Sequence, residues 1–223
     1  MRTKFRALST FCIIIASMCF WASSQAFSGQ IQDNNVLVER PDVKEGDTYT
    51  YTRISNRNGK ILGTFTQRVV RVTHEHIIVE MMVGGTPVRQ TYTRDWNLVE
   101  TKDVKFTPYR HEHKFPIVKN DSWSGKSKQK NDNGNDFYYE STGIVEGTEK
   151  VRVPAGTFTA IKTRVDTTYE AYTANGSGRG TITRTFWYAP RVNRFIKFVY
   201  EDTNWRGLPF RSFRWELVAF ERE

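Results

Sequence analysis

The sequence predicts an all-β protein: antiparallel hairpins that form a β-sandwich or an open or half barrel. Three observations carry that reading. Beyond Pro41, apolar and polar residues alternate with period two in segment after segment. Gly-containing pairs that favour tight turns separate these segments at short intervals. No stretch holds apolar residues at sustained helical spacing, so nothing supplies the crossovers that parallel strands need.

The chain of 223 residues opens with Met1-Arg2-Thr3-Lys4-Phe5-Arg6, then an apolar run from Ala7 to Ala22, then Ser23-Ser24-Gln25-Ala26. A cationic start, an apolar middle and a small-x-small exit read as a secretory signal peptide over residues 1–26. The run is shorter than the ~20 residues of a spanning helix and is interrupted by Ser9, Thr10 and Ser17. No transmembrane segment is therefore expected after cleavage, and the expected location is periplasmic. Cleavage after Ala26 leaves 197 of the 223 residues and removes Arg2, Lys4 and Arg6, taking the net charge from +9 to +6. Both cysteines, Cys12 and Cys19, leave with it. Met18 stands before Cys19, where lipoprotein processing wants a small residue, so no lipid anchor is expected. A product without thiols or disulfides must be held by its core.

Residues 27–40 are polar and aperiodic, a flexible N-terminal segment or a loose first strand. Residues 41–223 read as one antiparallel β domain. Thr48 to Thr52 alternates Thr with Tyr49 and Tyr51. Phe65, Gln67, Val69 and Arg71 share one face of a strand, and Arg211, Phe213, Trp215, Leu217 and Ala219 share a face of the last one. The turn signals are Asn58-Gly59, Gly84-Gly85, Asn133-Gly134, Glu146-Gly147, Asn175-Gly176 and Arg206-Gly207. Residues 120–135, rich in Asn, Asp and Lys, read as a long hairpin tip. A local similarity between Lys44–Thr50 and Val118–Ser124 allows a second reading of the domain as two similar halves, 41–115 and 116–223.

Two motifs have architectural explanations. In Val151-Arg152-Val153-Pro154-Ala155-Gly156-Thr157-Phe158, Pro154 presets φ for a turn and Gly156 takes the positive φ that follows, reversing the chain with a bulge. In Phe186-Trp187-Tyr188-Ala189-Pro190, Pro190 cannot donate to a ladder and ends a strand. Within them, Val153 to Phe158 and Trp187 to Pro190, together with Gly46-Asp47, Tyr49, Thr93-Arg94-Asp95-Trp96-Asn97-Leu98, Val192, Arg194, Phe195 and Lys197, resemble the family of exported bacterial β-proteins of unknown function labelled TapB-like. The likeness spans about Gly46 to Tyr200. It implies an envelope-located β-protein and transfers no catalytic residue.

All four histidines fall in two copies of one tripeptide, His74-Glu75-His76 and His111-Glu112-His113. On a strand, residues i and i+2 share a face ~6.6 Å apart, so each pair could offer two imidazoles to one metal, and two pairs could complete a tetrahedral site. Against this stand the flanking cations Arg110 and Lys114 and the ordinary look of polar strand ends. Thiol catalysis is excluded by the cysteine-free product, and neither a Gly-x-Ser-x-Gly elbow nor a phosphate-cradling loop occurs. Asp166 and Glu170 are carboxylates of a kind found on most solvated strands. Arg68, Arg71, Arg152, Lys162, Arg164 and Arg184 interleave with aromatics; in an exported protein they suit a solvated face or anionic lipid, not nucleic acid. No cofactor is expected and no catalytic residue is assigned. The leading reading is a non-enzymatic periplasmic protein that binds an envelope partner or an apolar ligand. The alternative is a metal-binding protein or metal-dependent enzyme using His74, His76, His111 and His113.

Overall fold

A computed structural model describes residues 36–223, Asn175 excepted. The expected signal peptide, 1–26, lies outside the described residues. The described chain is all antiparallel β. Its strands are β1 (Val36–Val38), β2 (Thr48–Ser55), β3 (Ile61–Val72), β4 (His76–Val83), β5 (Thr86–Thr93), β6 (Leu98–Thr101) and β7 (Val104–Thr107), followed by β8 (Ile117–Val118), β9 (Ser122–Asn131), β10 (Asp136–Val153), β11 (Gly156–Thr173), β12 (Gly176–Ala189), β13 (Arg194–Asn204) and β14 (Pro209–Glu221). Twelve of them form a closed barrel in which each strand pairs with the next along the chain, and β14 returns to β2. The two short ones, β1 and β8, pair with each other outside that ring. Of the expected alternatives, the sheet takes the barrel form, and it closes fully because β9 bonds both β7 and β10, leaving no free edge. Each stretch, from β1 to β7 and from β8 to β14, supplies one short strand and then six barrel strands.

Local chemistry explains the connections. Gly84 and Gly85 both lie at positive φ, 56° and 83°, and join β4 to β5 as a two-residue turn whose twist suits the strands. Gly156 has φ 136° after Pro154-Ala155, as the motif predicts. Val153 pairs directly with Gly156, so the reversal is a plain two-residue loop without the expected bulge. Strand β12 ends at Ala189, immediately before Pro190. Glu146-Gly147 is no turn. Gly147, φ 133°, sits at a register shift inside the 18-residue β10, where the extra residue bends a continuous strand. The polar stretch 120–135 is mostly strand β9, with Asn120 in the turn before it and its last residues in the turn after it. Asp47 and Asp121 end matching turns: each backbone N–H bonds the carbonyl three residues back, 3.3 Å to Lys44 and 3.2 Å to Val118.

Bulges also revise two expected faces. Val70 and Val218 are extra residues in their ladders, so beyond them Val72 and Phe220 pack on the core, and Arg71 and Ala219 are left exposed. The interior is aromatic and aliphatic, with Tyr49, Tyr51, Ile77, Ile196 and Leu217 fully buried. The outer face carries ion pairs such as Lys162 with Glu146 and Arg164 with Asp166. That distribution, apolar inside and charged outside, is the reverse of a barrel immersed in lipid. Among the described residues no helix is long and apolar enough to cross a membrane.

Candidate functional site: the barrel lumen

A cavity of about 440 Å³ opens inside the barrel. Its wall is mainly apolar and rich in aromatic rings, with Phe65, Phe186, Phe198 and Trp215 among the residues that line it. The fold places these rings by bulging. In the β12–β13 ladder Ile196 is the extra residue, so that Phe195 and Phe198, three apart, both reach the lumen. The cavity reaches solvent at the end of the barrel formed by the β2–β3 and β4–β5 turns, where Leu62 and Val83 line it while 52% and 47% exposed. Large apolar side chains cluster on this same end: Ile61 and Met82 beside the mouth, Trp205, Leu208 and Phe210 on the β13–β14 hairpin. A shallower hollow of about 550 Å³ between Tyr138, Tyr169 and Trp205 lacks the converging buried charges of the lumen.

Besides Arg53 near the mouth, two groups of charges meet the cavity. The first comes from residues 108–116, which run between β7 and β8 and turn inward. Asn97, buried in the β5–β6 connection, clamps this segment: its Oδ1 accepts from the N–H groups of Glu112 and His113, each at 2.8 Å, and its Nδ2 donates to the His113 carbonyl at 2.9 Å. Glu112 is thereby held where Arg110 Nε stands 2.8 Å from Oε1 and Nη2 donates to Oε2 at 3.0 Å. Arg184 adds a third contact at 3.5 Å and donates to Thr167, which shares a hydrogen bond with Ser141. Burial alone would push the Glu112 carboxyl up; Arg110 and Arg184 outweigh it and hold the group below its ordinary value. Burial likewise lowers Arg184, assisted by the neighbouring Arg110 charge. Arg184 is thus no part of a solvated face: Ile182, Arg184 and Phe186 are the inward residues of β12.

The second group is Arg194 at the start of β13, only 2% exposed. Its guanidinium lies 3.5 Å from the Trp96 ring centroid, 4.6 Å from that of Phe195 and 5.3 Å from that of Tyr92. Nη2 donates to Gln67 at 2.9 Å, and Gln67 in turn bonds Gln90 and Tyr92. Nε and Nη1 have no hydrogen-bond partner among the described residues. The Thr93–Leu98 motif explains how Trp96 comes to face the charge: the Thr93 hydroxyl accepts from the N–H of Asp95 and of Asn97, folding the connection so that Trp96 takes φ 61° and is buried.

The histidine pairs are not brought into one site. His74 lies in the β3–β4 turn and His76 begins β4, where Thr73 and His76 exchange hydrogen bonds. His111 covers Gly125 of β9 and stacks near Tyr109, while the His113 ring packs at 4.5 Å on Phe186. Residues 111–113 are not in a strand, so the shared face assumed for them does not exist, and Glu112 is drawn to arginines. Among the described residues no group of three or more His, Cys, Asp or Glu is placed to hold a metal. Burial is the main cause that pulls His113 down to about 4; Arg194 and Arg110 add to it and Glu112 opposes it. The sequence reading missed Arg194, Arg110 and Glu112 as a set. The available signal was an Arg set among Val192, Phe195 and Ile196, and the interior place of Tyr49, Trp96 and Phe195, all residues of the motifs that carried the resemblance.

The molecule is a closed antiparallel barrel with a charged, aromatic lumen. Among solved structures it is similar to a protein from Bacteroides fragilis described as exported and of YmcC-like fold: TM-score 0.52 and 16% identity, over 83% of this chain and 100% of that one. A protein from Parabacteroides distasonis described as a lipoprotein aligns at TM-score 0.49 and 14% identity, over 85% of this chain and 100% of that one. The hypothetical lipoprotein YmcC from Escherichia coli K12 aligns at 0.45 and 11%, over 77% and 84%. The first likeness shows a shared YmcC-like fold. No family model and no curated protein matches the chain.

Proposed function

We propose that the protein is a non-enzymatic carrier or receptor that holds an apolar ligand in its barrel lumen and works in the periplasm. The observation that carries the reading is a lumen of about 440 Å³, lined chiefly by apolar side chains, many of them aromatic, and open at one end between exposed apolar side chains. Sites for small ligands are concave, mostly apolar and provided with a few converging polar groups. A scaffold barrel, by contrast, fills its interior with side chains. The periplasmic part of the proposal rests on the signal-like residues 1–26 and on the description of the Bacteroides fragilis relative as exported. Titration with the fluorescent apolar probe N-phenyl-1-naphthylamine tests the reading. Saturable one-to-one binding is expected, weakened at least tenfold by Met81→Trp, which puts an indole where a flexible cavity-lining side chain stood. Absence of saturable binding to the parent protein, or equal binding by the variant, refutes a lumenal site.

A further inference from the structure

We infer that the ligand held in the lumen is an amphiphile with a single anionic head group, seated on Arg194 with its tail directed toward the mouth at Leu62 and Val83. This rests on the lumenal reading above and names the class of ligand.

Among the described residues, the partly buried Arg110 and the buried Arg184 and Arg194 stand in or beside the lumen, and the fold treats them differently. Arg110 and Arg184 share the single carboxylate of Glu112, which offsets one of their two charges. Arg194 has no carboxylate within ion-pair distance among the described residues, and two of its three nitrogens have no hydrogen-bond partner there. Leaving a buried cation without an anion is among the costliest arrangements a core can contain. Rings around the guanidinium offset part of that cost, and neutral polar partners, Gln67 above all, another part. Neither supplies the negative charge. Arg194 also lines the cavity, so the place from which an anion could reach it is the lumen itself. A carboxylate or phosphate oxygen there would accept from a charged donor in a site shielded from water, where such bonds are strong. The remaining wall, Phe65, Phe198 and Trp215 leading out to Leu62 and Val83, offers an apolar path for a tail. Arg53 stands near the mouth with its guanidinium 3.9 Å from the Phe213 ring, so the lining is cationic in balance from end to end.

The test compares four probes of equal chain length at pH 8: dodecanoate, dodecyl phosphate, 1-dodecanol and dodecyltrimethylammonium, titrated by calorimetry into the parent protein. The expected result is binding of at least one anion ten or more times tighter than the alcohol, with the cation weakest. Whether dodecanoate or dodecyl phosphate binds tighter identifies the head group. Arg194→Met is expected to remove the preference for anions while leaving alcohol binding in place, and Arg194→Lys to keep a reduced preference. Alcohol and anions binding equally to the parent protein would overturn the inference while leaving lumenal binding intact. An anion preference that survives Arg194→Met would overturn the role of Arg194. Failure of every probe to bind would count against the lumenal reading itself. If Arg194→Met does not fold, the comparison within the parent protein still decides the anionic class of the ligand and Arg194→Lys decides the role of Arg194, an unchanged anion preference in that variant overturning it.

Discussion

His113→Gln isolates a pH dependence that the burial of one imidazole builds into this barrel. In the folded protein the ring packs on Phe186, beside Arg110 and Arg194, and its affinity for a proton falls from the ordinary 6.5 to about 4. The unfolded chain therefore takes the proton first. Stability is complete above pH 6.5 and is lost as the pH falls toward 4, at about 1.4 kcal/mol for each pH unit within that window. Between pH 7 and pH 5 the loss is about 2 kcal/mol, a large share of the ~5–15 kcal/mol that holds a protein folded. Glu112 contributes to acid loss as well, but its carboxyl lies below its ordinary 4.5 and acts beneath this window. Asp202, raised by burial, works in the opposite sense and is present in parent and variant alike. Equilibrium unfolding in urea at pH 7 and pH 5 gives the measurement. The parent should lose about 2 kcal/mol more than His113→Gln over that interval. Equal losses in the two proteins would refute the reasoning, whatever the variant's absolute stability.

Two further substitutions probe how the lumen is filled and charged. Gly143→Ala places a Cβ into the Trp123 indole, which lies directly over that glycine, and should cost about 1–3 kcal/mol, seen as a melting temperature lower by several degrees; an unchanged melting temperature would mean the indole does not pack there. Glu112→Gln removes the anion shared by Arg110 and Arg184 and should cost about 3–5 kcal/mol in denaturant unfolding at pH 7; a loss under about 1 kcal/mol would show that the two guanidinium groups are neutralised by something else.

Strands and turns were legible because they are set locally. Tyr49 and Tyr51 alternate with Thr residues and do face the interior, Gly156 does take positive φ, and Pro190 does end its strand. What the residues concealed was parity and destination. A bulge inverts every face beyond it, yet Val70, Ile196 and Val218 look like ordinary strand residues, and Glu146-Gly147 looks the same in a bulge as in a turn. His111 to His113 carries an apparent strand spacing, but the Asn97 clamp on its backbone comes from a distant connection that no local pattern announces. Arg184 stands between Thr183 and Thr185 and Arg194 between Asn193 and Phe195, and an arginine in a strand ordinarily meets water, as Arg152 and Arg164 do; the closed barrel is what draws Arg184 and Arg194 inside.

Closure also explains why a lumen exists at all. A ring of eight strands is just filled by its own inward side chains, and twelve strands enclose more than such side chains can fill. This chain fills part of the excess in two ways. Residues 108–116 turn inward beside β9 and β12, and clustered rings such as Tyr51, Phe65, Phe198 and Trp215 occupy the side formed by β2, β3, β13 and β14. The cavity is what lies between, and the charges of Arg110, Glu112 and Arg194 all line it. A protein selected only for stability would gain by placing an apolar side chain of similar volume at position 194, since replacing buried charge with well-packed hydrocarbon is often neutral or stabilising. The same interior provides a carboxylate for Arg110 and Arg184, so the fold has the means to neutralise a buried arginine and does not apply them at Arg194. An unneutralised cation facing a cavity marks a site where packing has yielded to binding.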